Sequence, residues 1–266
     1  MSARAPERWA GFLSQIRERH GAVCAEAEAS LLATLRAANH DPNVLATAWA
    51  PLHHRLQELE TKIIETWDKQ VEGVFESEGY PRDLQATERE KGEELRFALE
   101  NAHQATEMRI LATGAREMYA RAVASQRAAA CPRCGAALTV PFTYQAINVA
   151  CPCGSTFVFE PAPMARNVVA FGAHPLAWEA AQAEWLSMRD AERRYRRTRP
   201  PVPIAVIKHY ERSQIAFWTR YVGHRAHFEP AMQNVPLEVR SRMEAFYRSA
   251  EHEEEWVRAG RPRETI

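Results

Sequence analysis

Four of the five cysteines, Cys131, Cys134, Cys151 and Cys153, fall within a 23-residue window at C-x2-C and C-x-C spacing. Thiolates at this spacing are soft ligands that can meet on one tetrahedral ion, and in a reducing compartment that use is favoured over disulfides. The fifth, Cys24, stands among alanines in a helical pattern and reads as a small buried hydrophobe rather than a reactive thiol.

The strings Cys131-Pro132-Arg133-Cys134-Gly135 and Cys151-Pro152-Cys153-Gly154 resemble the paired knuckles of the zinc-ribbon class. Proline after the first thiolate restricts each turn. Glycine after the second permits positive φ, so that backbone N–H groups can point at sulfur. The resemblance covers residues 131–163 and implies one structural Zn2+ per chain held by Cys131, Cys134, Cys151 and Cys153. The second knuckle is one residue shorter than the usual form. Residues 135–150 leave room for a hairpin with strands near Leu138–Phe142 and Gln145–Val149, followed by a strand at Thr156–Glu160. A redox dithiol or an iron site could use the same thiolates. The βαβ setting in which redox C-x2-C motifs open a helix is lacking. Four protein thiolates close the tetrahedron, which excludes a catalytic zinc with an open position.

Other candidates carry less. His224 and His227 share a helical face at i, i+3, with Glu229 and His252 as further ligands of a possible second metal; without a named third ligand the pair reads as a polar helix edge. Glu100 and His103 form one E-x-x-H, but a di-iron bundle needs two. Glu58, Glu65, Asp68, Glu72 and Glu76 read as the solvated face of a helix. Six arginines and Tyr195 lie between Arg189 and Arg199. They read first as a charged helix C-terminus and second as a nucleic-acid patch through Arg193, Arg194, Arg196 and Arg197.

These residues must be positioned by mostly helical elements. Trp9, Leu13, Ile16, His20, Val23, Ala27, Leu31 and Leu35 repeat every three or four positions and predict a first helix ending near Asn39. Leu45, Trp49, Leu52, Leu56, Leu59, Ile63, Trp67, Val71 and Val74 predict a second, which Pro51 either kinks or restarts. Leu95, Ala98, Ala102, Ala105, Met108, Ala112, Ala115, Met118 and Ala122 predict a third, reaching about Ala130. Short connections make this an antiparallel three-helix bundle. After the ribbon, helices are expected at His174–Arg197, Ile204–His227 and Pro236–Gly260, rich in aromatic residues such as Trp178, Tyr210, Phe217, Trp218 and Trp256. These aromatics read mainly as core, with a ligand pocket or oligomer contact as alternatives. The chain is thus read as mainly α: a helical bundle at 1–130, a zinc ribbon at 131–163 and an aromatic-rich three-helix domain at 164–266.

Overall charge excludes wholesale electrostatic binding, because 34 basic residues balance 34 acidic ones. Residues 1–130 carry a net −4 and residues 163–266 a net +4. No apolar run approaches the ~20 residues of a membrane span, and the first residues lack a secretory apolar stretch, so a soluble cytoplasmic protein is expected. Phosphate-binding loops, HExxH and nucleophile elbows are missing from the sequence. The expected role is a non-enzymatic interaction or scaffold subunit with an unidentified protein partner and possible homo-oligomerisation. The alternative is a nucleic-acid-associated zinc-ribbon protein.

Overall fold

A computed structural model describes residues 4–126, 128–199, 202–229 and 232–248. The protein is mainly α with two small antiparallel sheets, and it divides into two compact units, Met1–Ile110 and Leu111–Ile266.

In the first unit, α1 (Ala5–Ala37) ends where Asn39 and His40 adopt φ of 53° and 64°, a left-handed turn that reverses the chain. The Asp41 carboxylate then accepts the Asn43 N–H at 2.9 Å and caps α2 (Pro42–Thr66). Pro51 does not break α2. Both Pro51 and Thr47, whose carbonyl a proline cannot serve, occupy exposed positions where water can satisfy the lost bond. A π turn, Trp67–Val71, leads into α3 (Glu72–Ser77). The extra residue in that turn advances the inward stripe by one position, so Phe75 is buried where the uninterrupted period points to Val74.

The last long helix of the bundle, α4 (Arg82–Ser125), extends into the second unit. Its N-terminal half runs parallel to α1 and antiparallel to α2. The Trp9 indole donates to the Glu88 carbonyl at 2.9 Å, Arg109 pairs with Glu28 at 2.9 Å, and Arg55 of α2 pairs with Glu26 at 3.5 Å. The inward stripe is Glu88, Gly92, Leu95, Leu99, His103, Thr106 and Ile110, whereas the expected Ala98 and Ala102 are exposed. Polar residues inside the stripe hid its phase.

Gly92 sets the approach of α4 to α1. A Cβ there would lie 2.8 Å from Trp9 Cζ2 and 3.3 Å from Ile63 Cγ2. Gly92→Ala will therefore destabilise the bundle by about 1–3 kcal/mol through overpacking, despite the ~1 kcal/mol helix-propensity gain of alanine. A thermal melt above wild type would refute this account of the packing.

In the second unit, α5 (Pro163–Asn167), a π turn (Val168–Gly172) and α6 (Ala173–Ala180) lead to α7 (Gln182–Arg197), α8 (Ile204–Arg225) and α9 (Val235–Tyr247). α8 packs against α6, α7 and α9, which explains its apolar residues on two sides. Ile207, Tyr210, Phe217, Tyr221 and Val222 are buried, and Trp218 is covered by the Arg242 guanidinium, 4.5 Å from its ring. The aromatic-rich helices thus meet their partners largely within the chain. The expected continuation of α9 to Gly260, with His252 and Trp256, lies outside the described residues. No helix among the described residues is long and apolar enough to cross a membrane.

Candidate metal centre

Each knuckle closes its own hairpin. β1 (Ala129–Ala130) pairs with β2 (Ala137–Leu138) around Cys131–Cys134, and β3 (Ile147–Ala150) pairs with β4 (Thr156–Phe159) around Cys151–Cys153. The expected hairpin between Leu138–Phe142 and Gln145–Val149 does not form. Pro141 has no N–H for a ladder, and the Thr143 hydroxyl, which donates to the Gln145 carbonyl at 2.9 Å and accepts its N–H at 3.2 Å, closes a local turn instead. Within each knuckle, Gly135 and Gly154 take φ of 73° and 85°, and their N–H groups donate to the carbonyls of Cys131 and Cys151 at 2.8 and 2.9 Å.

The two tips bring the thiols together. Cys131 Sγ lies 3.7 Å from Cys153 Sγ, and Cys134 Sγ lies 3.6 Å from Cys151 Sγ. All four sulfurs fall within 4.8 Å of one another, and one from each knuckle is buried while the other is exposed. Disulfides would require about 2.05 Å. A tetrahedral ion with metal–sulfur bonds of about 2.3 Å places its sulfurs roughly 3.8 Å apart, so the set fits a four-thiolate centre.

Donors around the sulfurs favour the thiolate form. The Ser155 hydroxyl lies 3.1 Å from Cys131 Sγ and 3.2 Å from Cys153 Sγ. That hydroxyl, with the N–H groups of Cys134 and Arg133, brings Cys131 down to about 6. Ser155 likewise lowers Cys153 through its hydroxyl and its N–H. The N–H of Cys153 acts to lower Cys151, but burial and hydrogen bonds shared with the other three thiols push it up to about 12. A four-thiol set without metal thus shares protons, and a cation that replaces them removes this conflict. The shortened second knuckle keeps an N–H directed at sulfur, and Ser155 adds a donor to each knuckle that sequence spacing does not reveal.

The β segment is also tied to helices. Phe142 packs on Tyr119 at 5.4 Å, and Tyr144 packs on Phe228 at 5.6 Å. These residues line a cleft of about 420 Å³ beside the ribbon.

His224 and His227 lie with Glu184 on an open cleft, and His224 is lowered by partial burial and by Arg220. Neither joins the kind of close ligand set the cysteines form among the described residues. At the end of α7, Tyr195 is buried and stacked on Tyr210 at 5.4 Å, so this aromatic belongs to the core. Arg196 pairs with Glu192 at 2.8 Å, and Arg194, Arg196 and Arg197 are exposed.

A second group of chemically active side chains crosses the first unit. Glu60 Oε1 lies 3.2 Å from His20 Nε2 and 2.9 Å from His103 Nδ1. His103 Nε2 lies 2.9 Å from His53 Nδ1, and Cys24 Sγ lies 3.7 Å from His20 Nδ1. His20, Glu60 and His103 are buried, while Cys24 and His53 are half-buried. Glu100 is half-buried and pairs with Arg96, so the E-x-x-H reading located the histidine without its carboxylate.

Fold and site together define a mainly helical protein carrying a four-cysteine metal-site candidate. No family model, curated protein or solved structure matches the chain.

Proposed function

We propose that residues 129–159 form a structural zinc ribbon and that the chain serves as a non-enzymatic interaction or scaffold subunit. The convergence of four thiols at tetrahedral separations supports zinc. Because the protein supplies all four ligands, the ion has no position for water or substrate. Its contribution is to lock two hairpin tips that are too short to hold each other. The ribbon then fixes the 139–146 loop, whose aromatic side chains Phe142 and Tyr144 engage Tyr119 and Phe228. A zinc that builds surface rather than doing chemistry fits a subunit that binds other proteins or a second copy of itself.

The burial of Tyr195 removes the stacking element from the arginine-rich helix end, which weighs against the nucleic-acid alternative. Sedimentation velocity at micromolar concentration, together with retention on heparin across a salt gradient, tests this choice. Self-association with weak retention is expected. A strict monomer whose retention falls steeply with salt would overturn the reading in favour of nucleic-acid binding.

A further inference from the structure

We propose that the cleft walled by Tyr119, Phe142, Tyr144 and Phe228 is a binding site for a trimethylammonium group. These walls all belong to the second unit: Tyr119 is on α4, Phe142 and Tyr144 lie between β2 and β3, and Phe228 follows α8. The cavity, about 420 Å³, falls within the ~300–1,000 Å³ range of small-molecule sites. It does not depend on which metal the four thiols hold.

Three of the rings form a corner. Phe142 stands at 81° to Tyr119 and 90° to Tyr144, with centroids 5.4 and 5.1 Å away, and Tyr119 and Tyr144 are 6.4 Å apart. Spacings this short let one cation centre lie within about 6 Å of all three centroids, the range over which a ring quadrupole attracts it. Burial and the charge of Tyr119 push the Tyr144 hydroxyl up to about 12, so this wall stays a neutral phenol.

Other rings of the same unit already carry a cation. The Arg242 guanidinium lies 4.5 Å from the Trp218 ring, and that of Arg225 lies 6.0 Å from the Tyr221 ring. Among the described residues no such pair covers Tyr119, Phe142, Tyr144 or Phe228, and no carboxylate, lysine or arginine lines their cleft. The lining decides which cation fits. An ammonium or guanidinium brings N–H donors that need acceptors once water is lost, and the Thr143 hydroxyl is already engaged with the Gln145 backbone. A trimethylammonium group has no N–H and asks only for ring faces and apolar contact.

Choline and its neutral isostere dimethylbutanol, in which carbon replaces nitrogen, test this when titrated into the full-length protein as purified. The ligand methyl signals are followed by NMR at pH 8, above the ordinary range of histidine. Choline is expected to bind at least about fivefold more tightly than the isostere. Equal binding of the two, or binding of neither at about 10 mM, would overturn the proposal. A short alanine peptide carrying one trimethyllysine separates the sources: tighter binding than choline assigns the group to a protein side chain, and weaker binding assigns it to a small molecule. Tyr119 is 41% exposed, so Tyr119→Leu should leave the fold intact while weakening choline at least about threefold. Tyr119→Phe keeps the ring face and should bind as wild type does. A folded Tyr119→Leu protein with undiminished affinity would also overturn the proposal, and if that variant does not fold the isostere comparison decides alone.

Discussion

Stripping the proposed metal from the four thiols will unfold residues 129–159 while the helices remain. Apart from the packing of Phe142 on Tyr119 and of Tyr144 on Phe228, this segment has little else to hold it: its strands are two to four residues long, its sheets have two strands each, and Val158 is 57% exposed. Two-stranded pieces of this size are marginal alone. A metal bound by all four thiols supplies the cross-link that such pieces lack. The bundle has its own core, in which Trp9, Ile16, Leu31, Leu56, Ile63, Trp67 and Phe75 are essentially inaccessible. Chelation should abolish amide protection across 129–159 and lower the helical ellipticity at 222 nm by less than about a tenth. Loss of most of the ellipticity would mean that the helices depend on the metal, contrary to the packing described here.

A second large effect concerns the buried Glu60. Burial acts to raise its carboxyl, but the hydrogen bonds from His103 and His20 outweigh it and lower the group. His20 is raised to about 9 from an ordinary 6.5. A raised base binds its proton more tightly when folded, so its contribution is fully present below about pH 6.5 and is lost as the pH climbs through 9. The lowered carboxylate contributes above its ordinary range and is lost as the pH falls. Stability of the first unit should therefore decline by about 3 kcal/mol between pH 6.5 and 9.5, where the metal thiolates stay ionised. Glu60→Gln should cost about 3–5 kcal/mol near neutral pH, because it leaves a buried pair without its anion, and should reduce the alkaline decline to the part that the hydrogen bond and charge of Cys24 contribute to raising His20. Denaturant unfolding of both proteins at the two pH values measures this. An equal alkaline loss in the variant would remove Glu60 from the explanation.

Thiols were readable in the sequence because four soft ligands at short spacing have few other uses, and the geometry brings those same four residues together. Helices were readable wherever apolar side chains kept a constant period, as along Trp9 to Leu35. The period failed where the backbone or the residue chemistry departed from it. The π turn at Trp67–Val71 moved the inward position from Val74 to Phe75, and the half of α4 that buries Glu88, His103 and Thr106 did not look like a core stripe. Glu60 was invisible for a related reason. A lone glutamate on a charged helix is expected in water, and only the histidines of two other helices, 40 and 43 residues away in sequence, make its burial tolerable. Cys24, expected as a small buried hydrophobe, is half-buried with its Sγ 3.7 Å from His20 Nδ1. In the ribbon, composition located the β segment, but the pairing was set by Pro141 and by the Thr143 turn, which confine each hairpin to its own knuckle.

One zinc ion is proposed to sit among Cys131, Cys134, Cys151 and Cys153. Native mass spectrometry of protein purified without chelator, combined with elemental analysis, tests it most directly. One zinc per chain is expected in the wild type, with most of it lost in Cys131→Ser. Protein carrying no zinc, or a Cys131→Ser variant that keeps its full zinc content, would contradict the account.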